Sequence, residues 1–439
     1  MGDAGRSEMK GSRVADPSMK ASKRPRKRDD VDSRTKRARK GGGRSNAQPL
    51  NTSASFWRKL CPGLHVGDAD FLAPCNPIIL SPDRLAQLRD QLDADGFFSL
   101  SPDDLPWTPS LKAMRIGVRR LIKQGWPASM LLVYDEAWAM AHQISTIMAS
   151  VSGGCKNSLD ALAWSITPTL GQSGFAPHRD RQPADVAGSF REDGTAKYAT
   201  CWIALSHATP DNSCMYMIPR GHDPGYDMGD DHSPDAEDPL IRVFRSSDEA
   251  VQSVRALPLK PGGCVIFTHR TMHWGSKGQA DCADARISIS FGHSDYSFEE
   301  PYFASPKRDL PFPPVPLRVA LASAQLINYH ERFDFDFALL RRLGATFNAH
   351  KPKFSRAYAE KTASEFIAAC DDLQRRTKPA PAHRARADEE SDEVEADAAL
   401  DDALDAMLDA QAAADGNLFD DYDEDFVDSG DDDEEDDEE

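Results

Sequence analysis

The sequence predicts a mainly β body with flanking helices, an α+β fold built on a double-sheet jelly roll, carried between two long tails of opposite charge. Three observations lead there. Short apolar runs separated by turn residues crowd the middle of the chain, helical periodicity is confined to the segments before and after them, and charge is concentrated at the ends. The chain has 439 residues and a formal net charge of −19. Its first 50 residues hold about 15 Lys and Arg against about 6 acids, whereas residues 388–439 hold about 27 acids and neither Lys nor Arg. The intervening residues are left near neutrality, as expected of a domain that does not depend on a single-sign surface. Both ends are too poor in apolar residues to bury a core. The predicted organisation is a disordered basic arm over 1–52, a folded domain over 53–378 with the jelly roll at about 160–295, and a disordered acidic tail over 379–439.

The helical part comes first. Ser81-Pro82 has the form of a helix start, Leu85, Leu88 and Leu92 recur on one face, and Gly96 is a natural stop. Residues 97–100 read as a buried strand. A helix over 111–124 carries Arg115, Arg119, Arg120 and Lys123 on a solvated face, and another over 136–150 turns Met140, Ile144 and Met148 inward. From residue 161 the period shortens, giving strands at 161–167, 198–205, 214–218, 242–244, 254–259, 264–268 and 286–291, with no helical run of normal length among them. Such a set makes a jelly roll able to enclose a small ligand. Two polar stretches, 181–196 and 222–239, have the length of functional lids or plain insertions. Helical periodicity returns over 317–330, 335–343 and 357–373.

The ends carry signals of their own. Lys23-Arg24-Pro25-Arg26-Lys27-Arg28 and Lys36-Arg37-Ala38-Arg39-Lys40 form a two-part nuclear localisation pattern, so a nuclear import receptor is an expected partner and the nucleus the expected location. The plainer reading is a solvated arm touching nucleic acid without sequence preference. Gly41-Gly42-Gly43 reads as linker. In the tail, Val394, Leu400, Leu404, Met407 and Leu408 fall near helical spacing, suited to docking on a basic partner protein. Eight scattered cysteines with no CxxC pair argue against a zinc module or a disulfide framework, and point to a reducing compartment. No apolar run reaches the roughly 18 residues of a membrane span, and the N-terminus opens on charge rather than on a signal-peptide stretch.

The chemistry-bearing pattern lies in the strand-rich part. Iron(II) that activates oxygen uses two histidines and one carboxylate on one face of an octahedron, leaving the other positions open. His178-Arg179-Asp180 supplies an HxD after a turn that follows a strand. About 95 residues later comes His273, just after the strand 264–268, and about 13 residues beyond it Arg286 opens the last strand. A guanidinium there suits the distal carboxylate of 2-oxoglutarate, which would be costly to bury unpaired. His293-Ser294-Asp295 is a second HxD, but no later strand-borne histidine follows it. His222 and His269 are expected to be structural.

These residues resemble the phytanoyl-CoA dioxygenase-like branch of the iron(II)- and 2-oxoglutarate-dependent oxygenases. The shared motifs are a helix ending in Asp-Gly with a strand after it, the HxD, Cys201-Trp202-Ile203-Ala204-Leu205, Ala208-Thr209-Pro210-Asp211-Asn212, Pro219-Arg220-Gly221-His222, Lys260-Pro261-Gly262-Gly263 and His273-Trp274-Gly275-Ser276, in family order over residues 81–292. The resemblance implies a double-stranded β-helix of cupin-like form, with His178, Asp180 and His273 as catalytic metal ligands. It also implies Arg286, Trp202 and Ser276 around 2-oxoglutarate, although Trp274 intervenes before Gly275-Ser276. It further implies hydroxylation, or demethylation through an unstable hydroxymethyl, with release of succinate and carbon dioxide, because related halogenases leave the position of Asp180 small. The alternatives are a nuclear interaction protein with a relic jelly roll and a cupin-like metal protein without 2-oxoglutarate. The substrate, a lipid, small metabolite or nuclear macromolecule, stays open at this stage.

Overall fold

The computed structural model describes residues 47–183, 185–230, 237–246, 249–304 and 311–377. The basic clusters at 23–28 and 36–40, the Gly41-Gly42-Gly43 linker and the acidic tail, with the partner and location readings attached to them, fall outside the described residues.

Helices α1 (Ala54–Leu60), α2 (Ala69–Leu72), α3 (Pro82–Asp95), α4 (Leu111–Lys123) and α5 (Asp135–Val151) precede most of the strands. Short helices α6 (Gly225–Met228), α7 (Pro239–Ser246) and α8 (Glu249–Ser253) lie among the strands, and α9 (Val315–Asn328), α10 (Phe337–Asn348) and α11 (Arg356–Thr377) follow them. The sequence signals act as expected in α3: Ser81 accepts the Arg84 N–H, Pro82 fills the first turn, and Gly96 closes the helix at φ 83°. Glycine is required there, since a Cβ would also come within 2.8 Å of the Thr271 hydroxyl.

The strands are β1 (Phe97–Leu100), β2 (Lys156–Ile166), β3 (Tyr198–Ala204), β4 (Met215–Met217), β5 (Arg255–Leu257), β6 (Cys264–Thr268), β7 (His273–Gly275) and β8 (Arg286–Ser294). They form an antiparallel five-stranded sheet, β1-β6-β3-β8-β2, and an antiparallel three-stranded sheet, β5-β4-β7. Period-2 alternation divides the larger sheet between two cores. Ala163, Cys201, Ile203, Ile266 and Ile289 join Met140, Ile144 and Met148 of α5 in one cluster, while Trp202, Val265 and Phe267 join Met215 and Met217 of the smaller sheet in another. In β2 the register against β8 shifts between Asn157 and Ala161, and Leu159 has φ 72°. That bulge sends Leu159 into a separate cluster with Trp138 and Phe303.

One expected strand is a helix. Residues 242–244 lie within α7, so a helical run does interrupt the strand-rich part. Asp238 accepts the backbone N–H groups of Leu240 and Ile241 at its start, and Pro239 fits the first turn. Leu240, Val243 and Phe244 then pack together beside Ile218 and Met272 at helical spacing. The polar stretch 181–196 is tied down as well, by Arg191 to Asp295 and to the backbone of Ser152 and Ala196.

Candidate metal centre

The site begins where two backbones meet. His178 and His273 exchange both N–H···O bonds at 3.0 Å, an isolated antiparallel bridge that continues β7 toward the segment before Asp180. Glycines permit the approach: a Cβ on Gly174 would fall 2.4 Å from the Gly275 Cα. Pairing the two chains brings the imidazoles side by side, with ring centroids 4.3 Å apart.

Each ring is then oriented by its own backbone. Nδ1–H of His178 donates to the Ala176 carbonyl at 2.7 Å and Nδ1–H of His273 to the Thr271 carbonyl at 2.9 Å, which leaves both Nε2 lone pairs free. Asp180 Oδ1 lies 3.7 Å from His178 Nε2 and 3.4 Å from His273 Nε2, while Thr200 donates its hydroxyl to Oδ2 at 2.5 Å. One ligand atom from each of the three residues falls within 4.8 Å of the others. Burial, and next the neighbouring His273, push the His178 pKa down to about 4, so the imidazole is neutral at physiological pH. Burial acts to raise Asp180, but His273, His178 and the Thr200 hydroxyl outweigh it and hold the carboxyl well below the usual range. Two imidazole nitrogens and one carboxylate oxygen converging in this way is a metal-binding arrangement.

Arg179, between the two ligands, points the other way. Its guanidinium donates to both oxygens of Asp223, at 2.5 and 2.8 Å, to both of Asp230, at 2.8 and 3.2 Å, and to the Arg270 carbonyl at 2.6 Å. Both the guanidinium and the two carboxylates are buried. Gly225 is glycine for the same reason: a Cβ would fall 2.1 Å from Arg179 Nη2. Thus the acidic stretch after His222 is, in its described part, a brace for the HxD turn.

The ligands open into a cavity of about 100 Å³ that both sheets line. At one end Arg286 is 3% exposed. Its Nη1 donates to the Ser213 carbonyl at 2.6 Å and its guanidinium lies 5.3 Å from the Trp202 ring, but Nε is buried without a partner. Among the described residues no carboxylate pairs with it. Burial lowers its pKa to about 10, so it stays cationic at neutral pH. Ser288, two residues along β8 and on the same face, is also buried with its hydroxyl unpartnered. A buried cation with no carboxylate partner is expensive unless an anionic ligand completes it. At the other end Asp160 accepts from Arg181 at 2.6 Å and from Tyr198 and Tyr329 at 3.1 Å each, and Arg181 also grips Glu299.

The structure therefore brings together His178, Asp180, His273, Arg286 and Trp202. It does not bring Ser276 to the cavity: that residue is half-buried and its hydroxyl donates to the Pro210 carbonyl at 3.4 Å, while Trp274 and Gly275 join the lining. His269 is buried between Phe190 and Phe298, and His293 is buried with its Nδ1 toward the Phe291 carbonyl, so neither joins the metal group. Residues that the sequence reading missed are Thr200, Ser288, Arg179 and the Asp160, Arg181, Tyr198 and Tyr329 wall. Ser288 and Thr200 were findable by strand alternation from Arg286 and Trp202.

Residues 141–281 match the family model described as phytanoyl-CoA dioxygenase, so the resemblance holds over that segment, which ends just before Arg286. No curated protein matches the chain. Among solved structures, the chain is similar to the epimerase SnoN in complex with Fe3+, alpha ketoglutarate and nogalamycin RO, at 18% identity over 49% of this chain and 85% of that one, with a TM-score of 0.36. It is also similar to HygX from Streptomyces hygroscopicus with nickel and 2-oxoglutarate bound, at 14% identity over 51% of this chain and 90% of that one, again with a TM-score of 0.36.

Proposed function

We propose that this chain is an iron(II)- and 2-oxoglutarate-dependent dioxygenase that hydroxylates a C–H bond, with His178, Asp180 and His273 as metal ligands. The observation that carries the reading is the buried guanidinium of Arg286, unpaired by any described carboxylate, in the same cavity as two histidines and an aspartate. We read the two antiparallel sheets as a double-stranded β-helix enclosing that cavity. The matched phytanoyl-CoA dioxygenase segment supports both statements.

Each residue has a task that follows from its contacts. The two Nδ1–H bonds fix the tautomer that leaves Nε2 for iron. Thr200 occupies Asp180 Oδ2 so that Oδ1 faces the histidines. Arg286 and Ser288 hold the far carboxylate of the cosubstrate, and Trp202 keeps the guanidinium plane in place. When bound, iron and 2-oxoglutarate supply the oxidant from O2, one oxygen atom entering the substrate and the other succinate, with release of carbon dioxide. The His178 side chain is 30% exposed, so the substrate presents its C–H from that side of the cavity.

In Arg286→Gln the charged contact is lost, about 1.5–3 kcal/mol, which corresponds to a Michaelis constant for 2-oxoglutarate raised roughly 10- to 100-fold in succinate release. Ser288→Ala, losing a neutral bond, is expected to raise it only severalfold. An unchanged constant in Arg286→Gln would favour a metal protein that does not use 2-oxoglutarate. Nuclear import through the clusters at 23–28 and 36–40 is part of the same proposal. Residues 1–44 fused to a fluorescent reporter should concentrate it in the nucleus; a diffuse signal would remove that element.

A further inference from the structure

We propose that the exposed face of α4 is a docking surface for this chain's own acidic segment, residues 388–409. Positions 112, 116, 119 and 123 share one side of a helix, so Lys112, Ile116, Arg119 and Lys123 form a single stripe, flanked by Arg115, Arg120 and Ile122. The opposite side, with Met114, Val118 and Leu121, is buried. α4 contains no acidic residue. Among the described residues, no carboxylate stands within ion-pair distance of any of its five cations. Elsewhere Arg179, Arg181, Arg191 and Arg318 are each engaged by a carboxylate. Amid these unpaired cations Ile116 is 52% exposed and Ile122 44%, which is unusual for a helix face whose only role is solvation.

The occupant follows from complementarity. Residues 388–409 hold about 11 acids and neither Lys nor Arg, with Leu400, Leu404 and Leu408 spaced as one helical side. An acidic segment with an apolar stripe matches a basic face with an apolar stripe. The N-terminal arm offers the acidic segment charge but almost no apolar residue. Tethering raises the encounter: the roughly 20 residues between Thr377 and Leu400 reach about 70 Å when extended, and a linker of that kind gives effective concentrations of about a millimolar. Salt should weaken the contact, since exposed charges are screened within about 10 Å at 0.1 M and about 3 Å at 1 M.

The test is zero-length carbodiimide crosslinking of the full chain, with peptides mapped by mass spectrometry. Lys112 and Lys123 should crosslink to acids of 388–409 at low salt, with the yield falling at least severalfold at 1 M salt. In the chain carrying Arg115→Glu, Arg119→Glu and Arg120→Glu those crosslinks should be lost, while both lysines remain available to report. Crosslinks confined to lysines of the N-terminal arm, or α4 crosslinks insensitive to salt and charge reversal, would overturn the proposal. So would protection of Lys112 and Lys123 from acetylation by a short DNA duplex in the intact chain, which would assign the face to nucleic acid.

Discussion

Arg179 is the residue on which the centre's geometry turns, because the peptide units on either side of it carry His178 and Asp180. Its two aspartates are buried, so removing the guanidinium leaves Asp223 without a cation and Asp230 with Arg242 alone. Arg179→Met should lower unfolding stability by about 3–5 kcal/mol, read as a shift in the urea midpoint. Arg179→Lys should recover only part of it, since an ammonium cannot make both forked contacts. A midpoint unmoved in Arg179→Met would contradict the brace. The sequence made His178, Asp180, His273 and Arg286 legible through order and strand placement, whereas Arg179 looked like the variable residue of an HxD. Its partners lie about 44 and 51 positions away, and no local period reports a contact at that distance. Ser276 lies outside the cavity lining, two positions beyond Trp274, which joins it.

At the scale of elements, the site depends on β7 meeting the 174–180 segment, and the crossing glycines set how closely they meet. Gly174→Ala would place a methyl against the Gly275 backbone, which has no side chain to swing aside. The two ligand-bearing segments must then separate, and metal affinity should fall about 10- to 100-fold, as for other losses of ligand orientation. Anaerobic cobalt(II) titration measures it, and an affinity equal to that of the unaltered chain would show that the close approach is not needed. Most elements were readable because capping and periodicity agree, as in α3 and α4. α7 was not, because three residues at 242–244 match a strand and a helix equally; the cap at Asp238 and the packing against Ile218 and Met272 favour the helix. β7 escaped notice since three residues are too few for alternation to register.

For the whole molecule, the described residues form helices around antiparallel sheets with the cavity between the sheets, and none of their helices is long and apolar enough to cross a membrane. Opposed charge at the two ends was plain from composition, yet composition does not say what that charge meets; the basic face of α4 was legible from its periodicity, but the exposure of Ile116 and Ile122 upon it became visible only from burial. The central claim is that His178, Asp180 and His273 hold iron while Arg286 holds 2-oxoglutarate beside it. Anaerobic titration of the purified chain with iron(II) and 2-oxoglutarate tests it most directly, through the weak visible charge-transfer absorption of chelated 2-oxoglutarate. The account predicts that band in the unaltered chain, its loss in the His178→Ala, Asp180→Ala double variant, and its appearance only at higher 2-oxoglutarate in Arg286→Gln. No band in the unaltered chain, or an equal band in the double variant, would contradict it.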